Sequence, residues 1–134
     1  MATIRASIYD RVPELILSDV KALDAALDEA SHEARSKGKL NIVVLGAPNR
    51  DWLSLVVGGE ETVVGFNYGH GNPPYFASAG ATETDEPVLT AFMGLEHHTE
   101  FPRRWVVPDA AGRQAAREFL LTGERPSSLQ WVEV

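Results

Sequence analysis

The run Glu96-His97-His98 is the part of the sequence whose residue types most clearly suggest chemistry. Neighbouring side chains of a strand point to opposite faces, so Glu96 and His98 would share one face and His97 would not. His70, in an earlier turn rich in glycine and proline, could complete a His/His/Glu set of the type that binds zinc. One hypothesis is therefore a small metal-dependent enzyme built on His70, Glu96 and His98. The alternative is exposed strand histidines that contact a partner protein.

Paired carboxylates form a second candidate group. Glu60 and Glu61 follow two glycines, and Glu83, Asp85 and Glu86 lie close together in a polar stretch. Two carboxylates on either side of a sugar are the catalytic groups of most glycosidases. Both groups here fall in predicted surface turns, with no apolar run to enclose a substrate. We interpret them as solvated acidic loops or as an acidic patch that faces a partner.

Other catalytic templates are missing from the sequence. It contains no cysteine, which excludes disulfides, thiolate nucleophiles and cysteine-ligated metal sites. It also lacks a Gly-x-Ser-x-Gly elbow, a phosphate-binding loop ending in Gly-Lys-Ser/Thr and a Gly-x-Gly-x-x-Gly fingerprint. No motif in the sequence therefore points to a bound cofactor.

Charge is distributed unevenly along the chain. The formal net charge is −7, and the stretch 51–102 holds eight acids but neither lysine nor arginine. This balance disfavours nucleic acid and anionic membranes as partners and favours a cationic protein surface. No apolar run approaches the roughly 20 residues that cross a bilayer, and no signal peptide is expected. Together with the absence of cysteine, these features predict a cytoplasmic protein.

Length and apolar periodicity predict the elements that position these side chains. A chain of 134 residues with 44% hydrophobic residues predicts a single domain, 1–134. Apolar residues at steps of three and four predict a first helix over about 19–37, with Ser18 as its N-cap. A second helix is predicted to start near Asp109 and to end at Gly123.

Strands are predicted before, between and after the two helices. Apolar runs such as 52–57 and 62–68 are separated by turn residues, and the order β-α-β-β-β-β-β-α-β predicts an α+β domain. We expect a mainly antiparallel sheet of about six to seven strands with both helices packed on one face. The acidic stretch would then lie on the other face or in the loops. Trp52 and Trp131 are predicted to be core residues.

The C-terminal third carries a family resemblance. Its residues, in order, are Gly94, Thr99-x-Phe101-Pro102, Val107-Pro108, Ala115-x-x-x-Phe119-Leu120, Thr122-Gly123-x-Arg125-Pro126 and Trp131. This series resembles the C-terminal signature of the Imm1 family of bacterial immunity proteins, most specifically over about 94–131. The motif residues themselves are interpreted as structural, comprising a helix stop, a turn proline and a buried tryptophan.

The resemblance implies an α+β fold and an inhibitor that binds one cognate toxin one-to-one, and not an enzyme. Many members of that family are linked to toxins of the deaminase class, which implies a toxin that acts on nucleic acid. Such a toxin needs a basic groove for phosphates, and an acidic surface can cover it. The pool of expected interface residues is Glu60, Glu61, Tyr68, His70, Tyr75, Glu83, Asp85, Glu86, Glu96 and His98. A ligand-binding or adaptor domain without a toxin partner is the other alternative.

Overall fold

The structure, a computed structural model, describes residues 3–8, 15–93 and 97–134. The strands are β1 Ile4–Ile8, β2 Leu15–Leu17, β3 Asn41–Gly46, β4 Trp52–Val57, β5 Glu61–Thr62, β6 Val64–Asn67, β7 Tyr75–Ser78, β8 Leu89–Met93, β9 His97–Phe101, β10 Val107–Pro108 and β11 Trp131–Glu133. The helices are α1 Val20–Lys37 and α2 Asp109–Thr122, and a 3₁₀ turn spans Arg103–Trp105. Within these ranges, no helix is both long enough and apolar enough to cross a membrane.

Most strands belong to one mainly antiparallel sheet, which confirms the predicted α+β class. Along its main path the strand order is β11-β7-β6-β4-β3-β1-β2. The β8–β9 hairpin joins this sheet through a parallel pairing of β8 with β3, and β5 and β10 form a separate short ladder. The pairs β4–β6 and β6–β7 are antiparallel, and each is joined by a segment that contains two glycines, as the sequence predicts.

Helix α1 begins one residue later than predicted, so the prediction of Ser18 as the N-cap is wrong. The first helical residue is Val20, and Asp19 is the extended residue before it. The Asp19 Oδ1 accepts a hydrogen bond from the Ala22 N–H at 2.7 Å, and its negative charge suits the positive end of the helix dipole. At the other end, Gly38 adopts the left-handed conformation with φ 66° and ends the helix.

One face of the sheet buries both helices. Leu53 and Leu55 of β4 and Phe66 of β6 contribute the sheet side, while Leu27 of α1 and Phe119 of α2 contribute the helix side. All five side chains are almost fully buried, and the rings of Phe66 and Phe119 meet edge to face with centroids 6.2 Å apart. Burial of a side chain of this size stabilises the fold by about 1.5–3 kcal/mol. This face is therefore the main core of the molecule.

The β8–β9 hairpin covers part of the opposite face. Leu89 and Ala91 of β8 pack with Ile42 and Val56 of the sheet in a second, smaller core cluster. Both β1 and β8 pair with the same strand, β3, at different points along its length. The hairpin consequently leaves the rest of this face, which we call the open face, without a covering layer among the described residues.

Candidate functional site

Five of the expected interface acids lie at one end of the sheet, which we call the acidic end. They are Glu60, Glu61, Glu83, Asp85 and Glu86. The segment from the 3₁₀ turn to the start of α2 contacts both of their loops: the Arg103 N–H donates to the Asp85 carbonyl at 3.0 Å, and the Asp109 N–H donates to the Glu60 carbonyl at 2.9 Å. The structure thus brings together acids that are more than 20 residues apart in sequence.

Two arginines neutralise part of this acidic end. The Arg103 Nη1 lies 2.7 Å from the Glu61 Oε2, and the Arg103 side chain is only 21% exposed, so this pair is fixed in place. The Arg104 Nε lies 3.3 Å from the Asp85 Oδ1, and both of these side chains are more than half exposed. The stretch without bases in the sequence therefore does not form a surface without bases.

The other three acids of this end are free of such partners. Glu60, Glu83 and Glu86 are exposed, and no cationic side chain in the described ranges pairs with them. Five carboxylates against two guanidiniums leave the acidic end with a net excess of three negative charges. This end keeps an electrostatic attraction for cations, carried chiefly by the three unpaired acids.

Three further candidates, Tyr68, His70 and Tyr75, lie at the opposite end of β6, in and beside the turn before β7. The His70 ring stacks on Tyr68 with centroids 5.7 Å apart, and the His70 Nδ1 accepts a hydrogen bond from the Asn72 N–H at 2.9 Å. The Tyr75 hydroxyl donates to the Gly71 carbonyl at 2.9 Å. These contacts hold the turn in shape, and the structure does not join the three residues to the acidic end.

The metal-site hypothesis gains no support from the geometry. His98 lies exposed on β9, with its ring 6.3 Å from that of Phe92, whereas the Nδ1 of His70 is engaged within its own turn. Glu96 lies outside the described residues. Among the residues that are described, no three His, Asp or Glu side chains are grouped so that they could hold a metal ion.

A groove of about 1050 Å³ lies on the open face, and sequence reasoning missed it. One register row of the sheet forms its floor, and from the edge inwards this row is Ile16, Arg5, Gly46 and Trp52. Because Gly46 has no side chain, the floor is low between Arg5 and Trp52. Met93 and Phe101 of the β8–β9 hairpin line the groove on its other side.

The prediction of Trp52 as a core residue is wrong, because its side chain is half-buried and lines this groove. The period of two along β4 carries the signal. Leu53 and Leu55 face the helices, so Trp52 and Ser54 must face the other way. Trp131, in contrast, packs against the main core, half-buried, with its Nε1 donating to the Pro126 carbonyl at 2.7 Å.

Several motif residues of the C-terminal third have structural roles. Gly123 ends α2 in the left-handed conformation with φ 69°, and its N–H donates to the Phe119 carbonyl at 2.7 Å. Phe119 lies in the main core, and Pro126 anchors Trp131 through the hydrogen bond described above. Gly94, the first residue of the series, lies outside the described residues. Gly123, Phe119 and Pro126 therefore hold the fold, whereas Phe101 of the same series lines the groove on the open face.

A family model described as immunity protein Imm1 matches residues 13–133, which cover every element of the fold except β1. No curated protein matches the chain. The match therefore includes the loops of the acidic end and most of the groove.

Proposed function

The chain belongs to the Imm1 family of immunity proteins, and on that premise we propose that it binds a cognate bacterial toxin one-to-one and neutralises it without catalysing a reaction. The observation that carries this proposal is the family match over 13–133. An immunity protein protects the cell that makes the toxin, so the partner is a protein and the site is a surface.

The acidic end supports a specific mode of inhibition. A toxin that acts on nucleic acid, such as a deaminase, holds phosphates with lysine and arginine side chains. The exposed acids Glu60, Glu83 and Glu86 are complementary to such a basic groove. Opposite charges of this kind raise the association rate, and rapid capture is what a cell needs against its own toxin. The acidic end is accordingly proposed to cover the toxin's substrate groove.

The protein encoded beside the gene for this chain is the probe for a direct test. Expressed alone in bacteria, that protein should arrest growth, and co-expression of this chain should restore it. The two purified proteins should elute as a single complex whose mass by light scattering equals one copy of each. The control is a co-expressed unrelated acidic protein of similar size, which should not restore growth. Growth arrest that persists beside soluble, folded chain would contradict the proposal.

A further inference from the structure

We infer that the groove on the open face is a second contact site for the toxin, distinct from the acidic end. It takes an extended toxin segment that places an apolar side chain on the groove floor and a carboxylate beside Arg5 and Arg50. This inference rests on the proposed function and adds to it a binding surface together with the chemistry of its occupant.

The groove has the size and polarity of a binding site. Its lining includes the half-buried side chains of Val44, Trp52, Met93 and Phe101, and Ile16 at its rim is 67% exposed. A single exposed isoleucine is ordinary on a protein surface. Here, however, Ile16 extends the apolar lining of the groove. The groove volume of about 1050 Å³ is close to that of the largest ligand pockets. Apolar side chains with a few polar groups beside them are the usual lining of a ligand site.

The strand beside the groove favours an extended occupant. β2 is the last strand on the sheet's main path, and no other described strand pairs with its outer edge. Its sequence, Leu15-Ile16-Leu17, contains no charge, and Leu15 is 40% exposed. Proteins usually protect an exposed edge strand with charged residues or proline, because its free N–H and C=O groups accept a further strand. An extended partner segment can use that edge while its side chains reach the groove.

The charge of the groove identifies the polar part of the occupant. Six described arginines are held by a carboxylate, a backbone carbonyl or an aromatic ring: Arg35, Arg103, Arg104, Arg113, Arg117 and Arg125. Arg5 and Arg50 line the groove, and in the described ranges neither has such a partner. Two uncommitted guanidiniums beside an apolar floor, in a protein of net charge −7, are complementary to a carboxylate.

Arg50 is presented to the groove by a fixed turn. Its backbone has φ 74°, a left-handed conformation that residues other than glycine, asparagine and aspartate seldom adopt. The turn is held by the Asp51 Oδ1, which accepts a hydrogen bond from the Gly69 N–H at 2.7 Å. A Cβ at Gly69 would lie 2.8 Å from that of Arg50, so the two loops are in direct contact. Because the backbone of this turn is already fixed, binding at Arg50 does not have to order the loop.

Gly46 offers a way to fill the groove without disturbing the fold. A Cβ built there would lie 4.0 Å from its nearest neighbour, the Arg5 carbonyl oxygen, and Gly46 does not have a left-handed φ. We expect Gly46→Leu to weaken toxin binding more than tenfold, mainly through faster dissociation, and Gly46→Ala to have a smaller effect. Ala25→Leu, on the exposed side of α1, adds similar bulk in the helix layer and should leave the dissociation constant unchanged.

Charge reversal gives a second and independent variant. Arg50→Glu should weaken binding of the same toxin about tenfold or more, because it places like charges side by side. Lys21→Glu makes the same change in net charge on an exposed position of α1 and should alter the affinity by less than twofold. Affinities and rates are measured by surface plasmon resonance, and thermal unfolding confirms that each variant is folded.

The outcomes separate the two proposals. If the wild-type chain binds the toxin while folded Gly46→Leu and Arg50→Glu bind it equally well, the groove assignment is overturned and the proposed function stands. If Gly46→Leu alone fails to fold, Arg50→Glu decides in the same way. If the wild-type chain does not bind the toxin, both proposals fail. A wild-type dimer that Gly46→Leu converts to a monomer would assign the groove to a second copy and overturn the inference.

Discussion

Asp19 shows how one side chain decides where an element begins. Ser18 and Asp19 are both favoured N-cap residues, so composition alone does not choose between them. Asp19 is the N-cap because its carboxylate accepts a hydrogen bond from the Ala22 N–H at 2.7 Å. That N–H is one of the four at a helix start that have no partner within the helix.

The first prediction compares these two neighbours. Asp19→Ala should lower the free energy of unfolding by about 1 kcal/mol, because it removes the acceptor of the Ala22 N–H and a favourable charge at the helix start. Ser18→Ala, at an exposed position before the helix, should change it by less than about 0.5 kcal/mol. Urea unfolding followed by circular dichroism measures both. A larger loss for Ser18→Ala would restore Ser18 as the cap.

Close contact between α2 and β5 sets the position of the second helix. A Cβ at Gly112 would lie 2.5 Å from the Thr62 Cγ2, so only glycine fits there. Thr62 cannot rotate away easily, since its Oγ1 accepts from the Val56 N–H at 2.9 Å and donates to the Val56 carbonyl at 2.8 Å. Glycine inside a helix is normally unfavourable, and here the close packing of helix on strand explains it.

The substitution Gly112→Ala therefore compares two opposing effects: the close contact with Thr62 and the higher helix propensity of alanine. Alanine favours the helix by about 1 kcal/mol, but the clash with Thr62 should reverse the sign and destabilise the fold by about 1–3 kcal/mol. Thr62→Ser keeps the hydroxyl and removes the methyl group, so adding it to Gly112→Ala should recover most of the loss. A double-mutant cycle in urea measures this coupling. Strictly additive effects of the two substitutions would show that the contact does not control the helix position.

The whole molecule separates its charge from its apolar groove. The acidic end lies around the 3₁₀ turn, whereas the groove lies on the open face, with Arg50 at the turn between β3 and β4. Exposed charges act over distance and chiefly change the association rate, while buried contacts chiefly change dissociation. Substitutions at the acidic end should therefore change the association rate of the toxin, and substitutions in the groove should change its dissociation rate.

Reversing the three unpaired acids together, Glu60→Lys, Glu83→Lys and Glu86→Lys, should slow association with the toxin about tenfold or more at low salt and leave dissociation nearly unchanged. The difference should shrink in high salt, because the Debye length falls to about 3 Å at 1 M. Stopped-flow fluorescence measures the rates at several salt concentrations.

Single reversals provide the matched control for this prediction. Glu86→Lys lies at the acidic end, and Glu124→Lys lies just beyond the far end of α2, a helix length of roughly 20 Å away. Both change the net charge equally, so only Glu86→Lys should slow association clearly. Equal rates for the wild-type chain and the triple variant would remove the electrostatic role of the acidic end.

Local features of the sequence were enough to predict both helices and the longer strands. Both helices end at glycines, Gly38 and Gly123, whose left-handed backbone is a property of the residue itself. The helical and strand periods likewise predicted the α+β class, and the C-terminal series of residues led to the family that the match over 13–133 confirmed. The glycine and periodicity signals lie within a few residues of the features that they predict, so they can be interpreted without knowing the fold.

Only the tertiary structure decided which side chains meet. Arg103 reaches Glu61 across more than 40 residues of chain, and this pair changes the charge of a surface that looked free of bases in sequence. The groove depends on the register that sets Arg5 beside Gly46 and Gly46 beside Trp52 on three separate strands. Strand register is set by the burial of the whole sheet face. Contacts between distant segments therefore become visible only once the chain has folded.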